Sequence, residues 1–145
     1  LGQYAYDVYP IDEEATKNAV EKYLRQAREY QVTEYIPVEP KYISVYSEIP
    51  GSYTGRISDP TANIAAMNID EPERRRKQVE RAEKAISRLG TVQQRLIRMR
   101  YMDDDNVMDI DVAAELGYGD RHYRRIKSFA VYRLATILGL VVLHE

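Results

Sequence analysis

The chain of 145 residues contains no cysteine. That excludes disulfides, thiolate metal sites and cysteine nucleophiles, and removes any sign of an oxidising, secreted setting. Tryptophan is absent and phenylalanine occurs once, against 13 tyrosines. Long hydrophobic runs are also missing. The longest largely apolar stretch, Ala135–Leu143, is too short to span a bilayer. The first 20 residues do not read as a signal peptide. A cytoplasmic setting without membrane attachment is therefore expected. No phosphate-cradling glycine loop, serine elbow or triad-like set appears. Paired carboxylates are plentiful, but nothing in their spacing marks a catalytic pair. A non-enzymatic protein without cofactor or resident metal is the expectation.

Positive charge is present but unevenly placed. The formal net charge is −2. Residues 1–72 hold 6 Lys/Arg against 12 Asp/Glu, a balance of −6, whereas residues 73–145 hold 15 against 11, a balance of +4. Such asymmetry suggests that the second half meets a polyanion. The competing explanation is that helices over 73–101 carry exposed Arg/Glu pairs.

Periodicity predicts mainly helix. Asp12 is a candidate N-cap, followed by Glu13 and Glu14 in a first turn. Ala15, Ala19, Val20, Tyr23, Leu24 and Ala27 form one apolar stripe on a helix ending near Gln31. Residues 32–60 contain Pro37, Pro40, Pro50 and Pro60 and read as a Tyr-rich connector, with Tyr42–Ile49 as a possible short strand. Helix returns at Glu71-Pro72-Glu73, with Val79, Ala82, Ala85, Ile86 and Leu89 as its stripe. Gly90 is expected to close it as a C′ residue, and Thr91 to cap a helix carrying Leu96, Ile97, Met99 and Tyr101. A short helix ends at Leu116. Gly117-Tyr118-Gly119 turns the chain, and Asp120 is expected to cap a last helix, Arg121 to about Leu138.

A short helix, a glycine-containing turn and a longer helix make the outline of a helix-turn-helix. Tyr123, Ile126, Ala130, Leu134, Ile137 and Leu138 are expected to form the buried face of the second helix. The opposite face concentrates Arg121, His122, Arg124, Arg125 and Ser128 near its start. In this motif the N-terminal turns of the second helix enter the major groove. Arg121, His122, Arg125 and Ser128 are expected to face base edges, where arginine suits guanine O6 and N7. Arg124 and Lys127 are expected to meet phosphates. Basic residues in a first turn oppose the helix dipole, so helix stability alone does not explain them.

Three stretches carry a resemblance to a known family: Ile11–Glu29, Arg81–Met102 and Ala113–Gly139. They resemble the ArpU family of phage and prophage transcriptional regulators. The last two are also similar to the promoter-reading C-terminal domain of bacterial sigma factors. There a helix ending in an aromatic residue, here Tyr101, precedes the helix-turn-helix, and Tyr123, Arg124, Lys127 and Ala130 match the pattern of the recognition helix. The resemblance implies duplex DNA binding and control of late phage genes, such as those for packaging or lysis. The chain departs from the pattern in its acidic Asp103–Asn106 loop and in its glycine pair at the turn.

The expected fold is all-α, with an N-terminal helix and connector over residues 1–60 and a helical DNA-binding domain over 61–145. The expected function is a sequence-specific transcriptional regulator, an activator of phage late genes, whose partners are duplex DNA, RNA polymerase and a second copy of itself. The alternatives are an adaptor docking on RNA polymerase or a phage assembly component, and a DNA-packaging recognition subunit. Asp103, Asp104, Asp105, Asp109 and Asp111 do not match a calcium loop, because Val107 stands where an oxygen ligand is needed. They read as a solvated loop with capping residues. The tyrosines read as core and interface residues. The apolar C-terminus is suited to finishing the core, joining two protomers or seating the first helix.

Overall fold

The first helix starts where the capping rule places it. In the computed structural model, which describes residues 10–40 and 60–145, α1 spans Glu13–Val32. Asp12 is its N-cap, and its Oδ1 accepts the Ala15 amide at 3.0 Å. Thr16, Val20, Leu24 and Ala27 are its buried residues. The four further elements are α2 (Pro60–Ile86), α3 (Thr91–Ile97, continued by a π-helical turn over Arg98–Met102), α4 (Asp109–Leu116) and α5 (Asp120–Leu138). The described residues contain no β-strand, and the fold is all-α. An isolated antiparallel bridge joins Ile11 to Leu143.

Helix α2 begins at Pro60, eleven positions before the expected Glu71, and runs through Pro72. Ala62, Ala65 and Ala66 are strong helix formers, and Pro60 sits at the start, where its missing N–H costs nothing. Past Pro72 the helix is laced by ion pairs one turn apart. Glu71 pairs with Arg74 at 2.6 Å and Arg75 at 2.9 Å, and Arg76 with Glu73 and Glu80, both at 2.5 Å. The basic run Arg74–Lys77 is thus largely matched by its own helix.

The connector is non-helical over 33–40 and runs beside α2. Asn68 holds it there: its Oδ1 accepts the Val38 amide and the Tyr35 hydroxyl, and its Nδ2 donates to the Val38 carbonyl, each at 2.9 Å. The Arg75 guanidinium lies over the rings of Tyr30 (4.9 Å) and Tyr35 (5.1 Å). The expected strand Tyr42–Ile49 lies outside the described residues.

Three expected cap assignments, Gly90 as C′ and Thr91 and Asp120 as N-caps, are corrected. Gly90 has φ −66° and ψ 162°, so it is extended and not a left-handed C′ residue. It is the N-cap of α3, where its amide donates to the Gln93 side chain at 3.3 Å, and Thr91 is the first helical residue. Likewise Gly119 caps α5 and Asp120 lies within its first turn. Gly117 behaves as expected. Its φ of 74° is the left-handed conformation that ends α4 and reverses the chain.

One apolar cluster draws on all five helices, with Val20 and Leu24 of α1, Ile86 of α2, Leu96 and Ile97 of α3, Val112 of α4 and Leu134 of α5. Helix α1 is therefore a core element packed with the C-terminal helices. Ile137, expected inside, is exposed, and Val131 and Ala135 take the inward positions. The C-terminal tail seats α1. The Val142 carbonyl accepts the Asp12 amide at 2.8 Å, the Val142 amide donates to Thr16 Oγ1 at 2.9 Å, and the His144 amide donates to the Pro10 carbonyl at 2.8 Å.

Candidate nucleic-acid interface

Helices α4 and α5, joined by Gly117–Gly119, present the helix-turn-helix outline. Positions one and two turns apart on α5 lie on one face. Arg121, Arg125 and Ser128 follow that spacing, are exposed, and with Arg124 line one open depression. Arg124 is tied to Asp120 at 2.6 Å, which offsets part of its charge and its conflict with the helix dipole. Arg121 and Arg125 have no hydrogen-bond or ion-pair partner among the described residues. His122 is exposed, its ring packed edge-on against Tyr118 with centroids 4.7 Å apart. Five of the six expected contact residues therefore stand on the surface around the start of α5.

The sixth does not. Lys127, expected to meet a phosphate, is only 7% exposed. Its Nζ donates to both oxygens of Asp109 at 3.0 Å and lies 3.9 Å from Glu21 Oε2 and 5.7 Å from the centre of the Tyr101 ring. A buried ammonium without a carboxylate would be strongly disfavoured, and Asp109 supplies one. Lys127 falls one turn after the buried Tyr123, on the side of α5 opposite Arg125.

Asp109, the first residue of α4, gathers three donors. Its Oδ1 accepts the Tyr123 hydroxyl at 2.7 Å, Arg100 Nε at 2.9 Å and Lys127 Nζ at 3.0 Å. Burial, the largest single influence, pushes the Asp109 carboxyl up. The hydrogen bonds from Tyr123 and Lys127, the Lys127 charge and the Arg100 bond together outweigh it and hold the carboxyl at about 2. Burial and the bond to Asp109 push the Tyr123 phenol well above its usual range. Burial and the Glu21 carboxylate, which accepts the Tyr101 hydroxyl at 2.5 Å, do the same to Tyr101. Sequence reasoning missed Asp109, Arg100 and Glu21 as a group. An aspartate opening a helix satisfies local rules on its own, and no periodicity links position 109 to 127.

The acidic loop is anchored by α1. Arg28 Nη1 donates to the Met102 carbonyl at 2.8 Å, and Nη2 lies 3.6 Å from Asp105. Among the described residues no group of three or more His, Asp or Glu side chains is arranged to hold a metal ion. No described helix is long and apolar enough to cross a membrane.

The chain is similar to Protein Gp66 of Listeria phage A118, with 23% identity over 105 residues that cover 72% of each chain. This similarity points to a phage context. No family model matches the chain, and no solved structure matches it.

Proposed function

We propose that the chain is a sequence-specific duplex DNA-binding regulator of phage transcription, an activator of late genes as the resemblance to the ArpU family implies. The observation that carries this reading is the division of α5 into two faces. Tyr123 and Lys127 are turned inward onto Asp109, while Arg121 and Arg125 stand exposed without carboxylate partners. Arginines whose charge the protein leaves unmatched are suited to an anionic ligand, and their place at the start of the second helix suits the major groove. In this reading Arg121, Arg125, Ser128 and His122 face base edges and Arg124 meets a phosphate. Lys127 acts from behind. The protein works in the host cytoplasm, with no catalytic step.

A second reading, an adaptor docking on RNA polymerase, is favoured by one feature. Ile110 is 78% exposed on α4, beside exposed Met108, Asp111 and Glu115. Selection from a random duplex library separates the two. A regulator enriches a motif and loses affinity steeply with salt, by about 0.9 in log K per log salt for each phosphate contacted. Arg125→Ala should then weaken binding to the enriched duplex by about 1–3 kcal/mol. Absence of retention at low salt would favour the adaptor, and retention without a motif would favour a packaging role.

A further inference from the structure

The reading helix is held in the core by Ala130, Leu134 and Leu138 along its later turns, and near its start by polar groups as well. Helix α4 buries a single residue, Val112, in the core. What joins the start of α4 to α5 is the Asp109 carboxylate, which grips α5 at Tyr123 and Lys127, two positions one turn apart. The same carboxylate accepts Arg100 from the π-helical turn after α3. Lys127 also approaches Glu21 of α1, which in turn accepts the Tyr101 hydroxyl. Two grips one turn apart restrain rotation of a helix about its own axis, which a single contact does not.

That rotation governs what the opposite face presents. An atom about 6 Å from a helix axis moves about 2 Å when the helix turns by about 20°. A hydrogen bond to a base edge does not survive such a displacement, whereas a flexible arginine still reaches a phosphate. We infer that Asp109 is a positioning residue that sets the rotation of α5, so that the sequence preference of the interface depends on a carboxylate that touches no DNA. This inference rests on the regulatory reading. Lys127 and Tyr123 serve it as the handles by which α5 is held.

The test uses the full chain and the duplex motif enriched by the wild type, with a scrambled duplex as reference. Asp109→Asn keeps the shape of the side chain but places a neutral amide against the Lys127 ammonium. Tyr123→Phe removes one hydrogen bond and keeps the apolar ring, so it serves if the first variant does not fold. Both are checked for native helix content by circular dichroism before binding is measured. The ratio of motif affinity to scrambled affinity should fall about tenfold in Asp109→Asn and about threefold in Tyr123→Phe. Affinity for the scrambled duplex and its salt slope should stay at wild-type values, because the surface arginines are unchanged. A merely structural role would lower both affinities together and leave the ratio alone. Folded variants whose ratio stays within twofold of wild type would overturn the inference while leaving the regulatory reading intact. A wild type that enriches no motif would overturn both.

Discussion

Removing either partner of the Asp109–Lys127 pair should have very unequal effects on stability. Asp109→Ala leaves the Lys127 ammonium, 7% exposed, with only Glu21 at 3.9 Å, and strips the buried Tyr123 hydroxyl of its acceptor. Breaking a fully buried pair from one side costs about 3–5 kcal/mol. The Asp109 side chain is 46% exposed, so water already screens part of the attraction. The expected loss is therefore about 2–3 kcal/mol. Lys127→Met removes the buried charge and keeps an apolar stem of similar volume. It leaves Asp109 half in water and still bonded to Arg100 and Tyr123. The expected loss is about 0–1 kcal/mol, as for other buried charges replaced by apolar groups. Urea denaturation reads the difference, and the Asp109→Ala midpoint should fall by about 1–2 M with unchanged slope. The effect carries a pH signature. The folded-state Asp109 pKa is lowered from 3.8 to about 2, so its stabilisation is complete above the unfolded value and fades as pH falls from about 4 towards 2. The gap between wild type and Asp109→Ala should therefore be constant above about pH 4 and narrow below it. A Lys127→Met variant as unstable as Asp109→Ala, or an Asp109→Ala variant within about 0.5 kcal/mol of wild type, would refute the reasoning.

Three further outcomes are expected. Gly117→Ala should cost about 1 kcal/mol in urea denaturation through its φ of 74° alone, since a Cβ there meets nothing within 4 Å. Asn68→Ala should leave global stability within about 0.5 kcal/mol but accelerate hydrogen exchange at the Val38 amide, which it would leave without its acceptor. Thr16→Val should cost about 1 kcal/mol and speed exchange at the Val142 amide, because the tail loses both bonds to Oγ1.

The helices were legible where their signals are local. Asp12 with Glu13 and Glu14 marked the start of α1, and the spacing of Val20, Leu24 and Ala27 marked its buried side. Gly117 marked the turn before α5 because left-handed backbone strongly favours glycine. The exposed Arg121, Arg124, Arg125 and Ser128 were legible from helical spacing against the inward Tyr123. The early part of α2 was not, because a proline inside a helix reads as a start. Whether it breaks or is tolerated depends on the propensity and ion pairs on either side. The three cap assignments failed for a related reason. Gly90 and Gly119 stand next to hydroxyl or carboxyl residues that are equally good caps, and only the path of the chain selects between them.

Lys127 marks the boundary between what a stretch of chain decides alone and what requires the assembled molecule. Within α5 the residues from Arg121 to Ser128 determine which side chains share a face, because the 3.6-residue repeat is a property of the backbone. They do not determine whether a lysine on the inner face is tolerated. That was decided by a carboxylate 18 positions earlier and a glutamate on α1, brought together only when the helices pack. Charge burial is a property of the whole surrounding shell, and that shell places Lys127, expected at the surface, against Asp109 inside the packed helices.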